Sequence, residues 1–190
     1  MEELKQRILR DGRAKAEGNI VLVNSFLNHQ LDSRLLMHCA EEFARFFKNQ
    51  GINKIVTIEA SGIAPAILTG YQMNLPVVFI KKKVPNNVNE SWKSRVWSFT
   101  RGDYVTVCID RRFLTADDRI LFVDDFLADG HASGCVIHLC RQSGAKIAGM
   151  GFLVEKGFAN GGQFLRDHNI PYHALATIKR INEDNSFELG

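Results

Sequence analysis

The sequence predicts an α/β fold in which a central, mainly parallel twisted sheet carries helices on both faces. Short apolar runs, typical of buried strands, alternate along the 190 residues with amphipathic helical segments. The alternation is interrupted at residues 84–110, where a polar, asparagine-rich stretch and two strand-like runs replace a helix. Because ligands of open α/β sheets bind beyond the carboxyl ends of the strands, polar residues after the apolar runs are the first candidates for function.

The spacing of apolar residues distinguishes helices from strands. Residues that recur every three or four positions, as Leu4 and Ile8 or Leu35, Cys39 and Phe43 do, predict helices, whereas uninterrupted apolar runs predict buried strands. Polar stretches without periodicity predict loops. In chain order the predicted elements are a helix at 1–11 ended by Gly12, a strand at 20–23, a helix at 33–49 capped by Asp32, a strand at 54–59, a helix from Ser61 and Gly62 to Met73, a strand at 76–80, a loop at 84–93, paired strands at 96–100 and 104–110, the central strand at 120–123, a helix at 130–142, a strand at 147–154, a helix at 162–168, a strand at 173–178 and a polar tail at 179–190.

Composition bounds the class of protein. Hydrophobic residues make up 45% and charged residues 24% of the chain, which predicts a packed globular core and argues against a disordered protein. The net charge of +3 is too small to indicate nucleic-acid binding. No apolar run approaches the roughly 18 residues of a membrane helix, and the first residues lack a signal-peptide core, so we expect a cytoplasmic protein. The four cysteines form no C-x-x-C pair and are expected to be reduced and buried.

Two adjacent aspartates, Asp124 and Asp125, follow the most apolar run. Neighbouring strand residues point to opposite faces, so we expect the two carboxylates to act differently. Carboxylates accept hydrogen bonds from vicinal hydroxyls such as those of a ribose. The next small-residue turn, 128–132, opens a helix whose free N–H groups and dipole favour an anion. Together they predict a sugar-phosphate site, although such a pair can also simply cap loops. Dinucleotide and P-loop glycine patterns are absent from the sequence.

The stretch L-F-V-D-D-F-L-A-D-G-H-A resembles the phosphoribosyl-diphosphate signature of type I phosphoribosyltransferases. Further segments occur in the order found in bacterial xanthine phosphoribosyltransferases, so the resemblance covers about residues 1–180. These segments are S-F-L-N-H-Q, I-V-T-I-E-A-S-G-I-A-P-A, P-V-V-F-I-K-K-K, W-S-F-T and V-E-K-G-F.

The resemblance implies transfer of a phosphoribosyl group from phosphoribosyl diphosphate to N9 of xanthine, giving xanthosine monophosphate and diphosphate in purine salvage. It also implies a homodimer, Mg2+ carried mainly by phosphoribosyl diphosphate, and no resident metal, nucleic-acid or membrane partner. The single domain is expected to span residues 1–190, with a hood from residues 1–35 and the C-terminal segment. A mobile loop over residues 84–103 is expected to close on the substrates.

The resemblance also assigns roles to individual residues. Asp124 and Asp125 would flank the ribose as the catalytic pair, and a separate set would bind the base. The residues implied for phosphoribosyl diphosphate are Ala128, Asp129, Gly130, His131, Ala132, Ser61, Gly62 and Lys82, with Lys81 and Lys83 competing for the role of Lys82; those implied for the purine are Val21, Asn28 and Lys156.

Two positions depart from the family pattern. Ala128 replaces the aspartate that serves as base in related hypoxanthine-guanine enzymes, which favours xanthine because this purine loses a proton readily. Asp129 stands where the xanthine enzymes tend to carry asparagine, and a carboxylate there would repel a phosphate. We therefore expect Asp129 to turn away and cap the helix, with His131 offsetting its charge.

Three alternatives remain open from the sequence. The base could be guanine or hypoxanthine instead of xanthine. A non-catalytic regulator of the same fold could sense nucleotides, although no DNA-binding helix pair precedes residue 54. His131, Cys135 and His138 share one face of the helix and could hold a metal, but no fourth ligand is evident.

Overall fold

The computed structural model describes residues 1–17, 19–82, 90–98 and 102–190, and places the predicted α/β architecture within them. Residues 84–89 and 99–101 of the predicted mobile loop lie outside these ranges, as does Lys83. The helices are α1 (Glu2–Asp11), α2 (Ser33–Phe46), α3 (Ile63–Met73), α4 (His131–Ser143) and α5 (Gly161–Asp167), and the strands are β1 (Arg13–Lys15), β2 (Ile20–Leu22), β3 (Lys54–Ile58), β4 (Val77–Ile80), β5 (Ser91–Ser98), β6 (Asp103–Asp110), β7 (Arg119–Leu127), β8 (Lys146–Lys156), β9 (Tyr172–Ile181) and β10 (Phe187–Leu189).

The central sheet has six strands in the order β10-β9-β8-β7-β3-β4. Strands β9, β8, β7, β3 and β4 pair in parallel, and only the edge strand β10 is antiparallel. One face packs on α1, α2 and α3, and the other packs on α4 and α5. The predicted parallel sheet covered on both faces is therefore confirmed.

Strand β7 lies inside the sheet and extends further than its apolar run. Residues 120–123 are fully buried, and they alternate between the two core layers. The prediction that this strand ends before Asp124 was wrong, because β7 pairs with β8 as far as Leu127. Its pairing with β3 stops at Phe122. A crevice therefore opens on the β3 side, and the two aspartates stand in its wall.

The two ends of the chain, which are predicted to form the hood, contact each other. Strands β1 and β2 form a small antiparallel hairpin, and the amino group of Met1 donates a hydrogen bond to the carbonyl of Leu175 on β9. The polar tail contains β10, which pairs with β9 and which the sequence analysis missed. Strands β1 and β10, with three residues each, are too short to show a strand pattern, whereas β2 matches the strand predicted at 20–23.

The interruption at residues 84–110 contains an antiparallel hairpin, as predicted, with Trp97 opposite Tyr104. Strand β5 already begins at Ser91, so the prediction of a loop as far as Lys93 was wrong at its end. Charged side chains on the outer face hide the strand pattern, while Ser94 and Val96 are buried. The hairpin packs on α4, where the Ser94 hydroxyl lies 3.1 Å from Nδ1 of His138.

Most other predicted elements match within a few residues. The capping role of Asp32 is confirmed, since its carboxylate accepts a hydrogen bond from the backbone N–H of Leu35, but α2 ends at Phe46, before the predicted residue 49. All four cysteines are buried and free of disulfides, as expected. No helix among the described residues is long and apolar enough to cross a membrane.

Candidate active site

A cleft of about 250 Å³ opens at the carboxyl ends of β3, β4 and β7. The sheet edge, the start of α4 and the β5–β6 hairpin all contribute walls. Its lining includes Glu59, Ser61, Lys82, Trp97, Val105, Asp124, Asp125, Phe126, Ala128, Asp129, Gly130, His131, Ala132 and Ser133. The structure thus brings together most of the residues predicted for a sugar phosphate.

Asp124 and Asp125 diverge to opposite sides of β7, as expected. The Asp124 carboxylate reaches the start of α3, where a Cβ on Gly62 would lie 2.6 Å from Asp124 Oδ1. In the amide orientation that satisfies both of its polar atoms, Asn28 donates to Asp125 Oδ2 at 3.1 Å. Gly62 therefore allows the Asp124 carboxylate to approach α3, while Asp125 contacts Asn28.

The acidic pair is poorly solvated. Asp124 is 8% exposed and Asp125 is 9% exposed, and the backbone N–H of Asp125 donates to Asp124 Oδ1 at 2.9 Å. Burial, followed by the neighbouring charge of Asp125, raises the pKa of Asp124 well above its ordinary value, while Lys82 opposes the shift. A cationic group entering the cleft would consequently be favoured beside this pair.

The turn at 128–132 has a defined backbone. Gly130 is the N-cap of α4, with φ of 82°, and the carbonyl of Ala128 accepts a hydrogen bond from the N–H of Gly161 at 2.7 Å. No side chain caps α4, so the expectation that Asp129 caps it was wrong. The Ser133 hydroxyl, which the sequence analysis missed, is buried in the cleft wall without a hydrogen-bond partner among the described residues.

Replacing Gly130 with alanine is expected to reduce the free energy of unfolding by about 1–3 kcal/mol, because a side chain is strained at positive φ. The new Cβ would also lie 2.9 Å from Phe164 Cδ1. Urea denaturation measures the loss. Gly134→Ala is the matched control, since its Cβ would meet the same ring at 3.4 Å and alanine favours a helix. Equal stability of the two variants would contradict this account of the turn.

The turn after β3 forms the opposite wall of the cleft. Ser61 lies there and Gly62 is the N-cap of α3, while Glu59 Oε1 accepts a hydrogen bond from the backbone N–H of Lys82 at 2.5 Å. Of the described lysines that follow β4, Lys82 lines the cleft. The Lys81 ammonium instead lies 5.8 Å from the ring centroid of Phe79.

A second cavity, of about 700 Å³, adjoins the first beside the segment predicted to form the hood. The residues predicted for the base, Val21, Asn28 and Lys156, all line it, together with Phe158. The two cavities share a wall that consists of Phe126, Ala128 and Asp129.

Lys156 is the cation of the second cavity. Its ammonium donates to the carbonyl of Asn19 at 3.1 Å and lies 5.9 Å from the ring centroid of Phe126. Burial lowers the pKa of Lys156, and the negative charge of Asp129 partly opposes that shift. The side chain can therefore present a donor to an oxygen-bearing ligand.

The geometry gives no support to a metal site on α4. His138 interacts with Ser94, and burial raises the pKa of the Cys135 thiol to about 11. Within residues 1–17, 19–82, 90–98 and 102–190, no group of three His, Cys, Asp or Glu side chains is arranged to hold a metal ion.

Curated relatives cover nearly the whole chain. Proteins named xanthine phosphoribosyltransferase are 45% identical over 182 residues in Lactobacillus delbrueckii subsp. bulgaricus (95% of this chain, 96% of the relative) and 43% identical over 185 residues in Ligilactobacillus salivarius (97% and 96%). The relative from Lactobacillus johnsonii is 41% identical over 191 residues (100% and 99%). No protein-family model matches the chain.

Solved structures show the same fold. The adenine phosphoribosyltransferase of Thermoanaerobacter pseudethanolicus superposes with a TM-score of 0.75 at 20% identity, covering 93% of this chain and 98% of that one. The enzyme of Trypanosoma brucei, in complex with AMP, pyrophosphate and ribose-5-phosphate, gives a TM-score of 0.77 at 17% identity, covering 96% and 83%. The predicted type I phosphoribosyltransferase fold is therefore confirmed.

Proposed function

The chain belongs to the xanthine phosphoribosyltransferase family, and on that premise we propose that it transfers the 5-phosphoribosyl group of phosphoribosyl diphosphate to N9 of xanthine. The products are xanthosine 5′-monophosphate and diphosphate, and the reaction serves purine salvage. The observation that carries the proposal is the pair of adjoining cavities, one with an acidic pair beside the turn at 128–132 and the other with the half-buried Lys156.

The first cavity suits phosphoribosyl diphosphate. The backbone N–H groups at 128–132, and the unpartnered hydroxyl of Ser133, would bind the 5-phosphate at the start of α4. Ser61, Gly62 and Lys82 would bind the diphosphate at the opposite wall. Asp124 and Asp125 would then lie beside the ribose, where carboxylates favour the positive charge that develops as the diphosphate leaves.

Magnesium is proposed to enter with phosphoribosyl diphosphate as part of the substrate. Mg2+ retains several waters and binds through one or two carboxylates plus substrate phosphates, and the paired carboxylates of Asp124 and Asp125 in the cleft fit that donor set. Bound there, Mg2+ would neutralise charge on the leaving diphosphate.

The second cavity suits an oxopurine. The Lys156 ammonium would donate to an exocyclic oxygen, with Val21 and Asn28 forming the hood side of the base site. The shared wall would bring N9 of the base towards the ribose. Because Ala128 offers no proton acceptor, a base that ionises readily, such as xanthine, is favoured.

We also propose where the chain acts, how it assembles and which segments cover the site. The chain is proposed to act in the cytoplasm as a homodimer of single-domain subunits spanning residues 1–190. Residues 1–35 and the C-terminal segment would form the hood over the base. Residues 84–103 would close over the substrates and exclude water, and Trp97 and Val105 of the hairpin already line the cleft.

The test is diphosphate release from phosphoribosyl diphosphate and Mg2+, measured with xanthine, guanine, hypoxanthine, adenine, uracil and orotate. Xanthine is expected to give the highest kcat/KM. A higher value with guanine or hypoxanthine would favour the alternative base, which the Lys156 donor also suits. Tight binding of phosphoribosyl diphosphate without release for any base would indicate a nucleotide-sensing regulator.

A further inference from the structure

Asp129 stands on the wall that the two cavities share, and its role is not explained by helix capping. It lines both the cleft and the second cavity. The N-cap of α4 is Gly130, and no side chain caps that helix. Asp129 is partly buried at this place, between the two cavities.

Lys156 lines the second cavity together with Asp129. The attraction of Asp129 raises the pKa of Lys156 and opposes the effect of burial. The other groups around the ammonium are uncharged, namely the carbonyl of Asn19 and the ring of Phe126.

Glu155, the acid that precedes Lys156 on β8, bonds to hydroxyl groups of β9. Its Oε1 accepts from the hydroxyl of Tyr172 at 3.1 Å, and its Oε2 accepts from the hydroxyl of Thr177 at 3.1 Å. Strand β9 places Ile178, which has no charge, opposite Lys156. Among the described residues, Asp129 is thus the acid whose charge acts on Lys156.

We propose that Asp129 is a positioning residue of the purine site, whose carboxylate attracts the Lys156 ammonium and directs it at an exocyclic oxygen of the base. This inference rests on the proposed function. The same negative charge stands on the wall of the sugar-phosphate cleft, where it opposes a phosphate. Asp129 therefore favours binding of the base but weakens binding of phosphoribosyl diphosphate. Its removal must change the affinities for the two substrates in different ways.

Asp129→Asn keeps the side-chain volume and removes the charge. The KM for xanthine is expected to rise about 5-fold, the change that loss of an electrostatic attraction of roughly 1 kcal/mol produces. The KM for phosphoribosyl diphosphate is expected to fall or stay unchanged. Glu41→Gln, which removes one negative charge from the exposed face of α2, is the matched control and should leave both constants unchanged.

The pH profile supplies a readout that a merely structural role would not move. Without Asp129 the pKa of Lys156 falls further, so the loss of kcat/KM for xanthine at high pH should begin at lower pH in the variant. The titration of xanthine itself is common to both proteins and cancels in the comparison. In a Lys156→Ala background, Asp129→Asn should cause no additional loss of kcat/KM for xanthine.

The outcomes separate this inference from the proposed function. If the unmodified protein releases diphosphate with xanthine but Asp129→Asn raises both KM values equally, Asp129 belongs to the phosphate site and the inference is overturned. Unchanged constants, or a further loss in the Lys156→Ala background, would overturn it as well. If the unmodified protein releases no diphosphate with any purine, the proposed function itself fails.

Discussion

Lys156→Ala is expected to raise the KM for xanthine about 10- to 100-fold, while the KM for phosphoribosyl diphosphate stays within about twofold. A hydrogen bond from a charged donor contributes roughly 1.5–3 kcal/mol, and each 1.4 kcal/mol is a factor of ten in affinity. The lysine lines the second cavity and is absent from the lining of the cleft that holds Asp124 and Asp125. Steady-state kinetics with each substrate varied in turn measures the two constants.

Lys146→Ala is the matched control, because Lys146 is exposed at the amino end of the same strand, β8. It should leave both constants close to those of the unmodified protein. If Lys156→Ala raised the KM of both substrates to the same extent, the assignment of this lysine to the base site would be wrong.

Asp125→Asn is expected to lower kcat about 100-fold with a folded protein. Loss of one preorganised electrostatic contribution to a transition state typically costs about 10²–10³ in rate. Asparagine keeps the shape and one acceptor oxygen, so the hydrogen bond from Asn28 can persist while the charge beside the ribose is lost. Turnover at saturating substrate measures the effect, and circular dichroism checks the fold.

The control for this charge is Asp117→Asn, on an exposed residue that precedes β7. The backbone carbonyl of Asp117, which accepts from Asn53, is unaffected by that substitution. Unchanged turnover of folded Asp125→Asn would falsify the role proposed for this carboxylate.

The sequence predicted the elements whose apolar residues are regularly spaced or continuous. Helix α2 and strands β3 and β8 belong to this group, because burial on one or both faces leaves a clear pattern. It could not predict β1 and β10, which are short strands. It also missed the start of β5 at Ser91, because the outer face of that strand is charged. The extension of β7 through Asp124 was missed because polar residues normally end an apolar run, and only the pairing with β8 shows that the strand continues.

The sequence predicted the candidate site only in part. The acidic pair and the turn at 128–132 are contiguous in sequence, so their proximity followed directly. Val21, Asn28 and Lys156 came from the resemblance, and the structure places them on one cavity. Trp97 falls within the segment predicted to close on the substrates, but the contribution of Ser133 could not be predicted, because it depends on how α4 packs around the cleft. The position of Asp129 on a wall between two cavities likewise has no signal in the sequence.

The most direct test of the account is a crystal structure of the protein with phosphoribosyl diphosphate and Mg2+. The account predicts the 5-phosphate against the backbone of residues 128–132, the ribose hydroxyls beside Asp124 and Asp125, and the diphosphate towards Gly62 and Lys82. An empty cleft at the end of β7, with the ligand bound at another place on the protein, would contradict it.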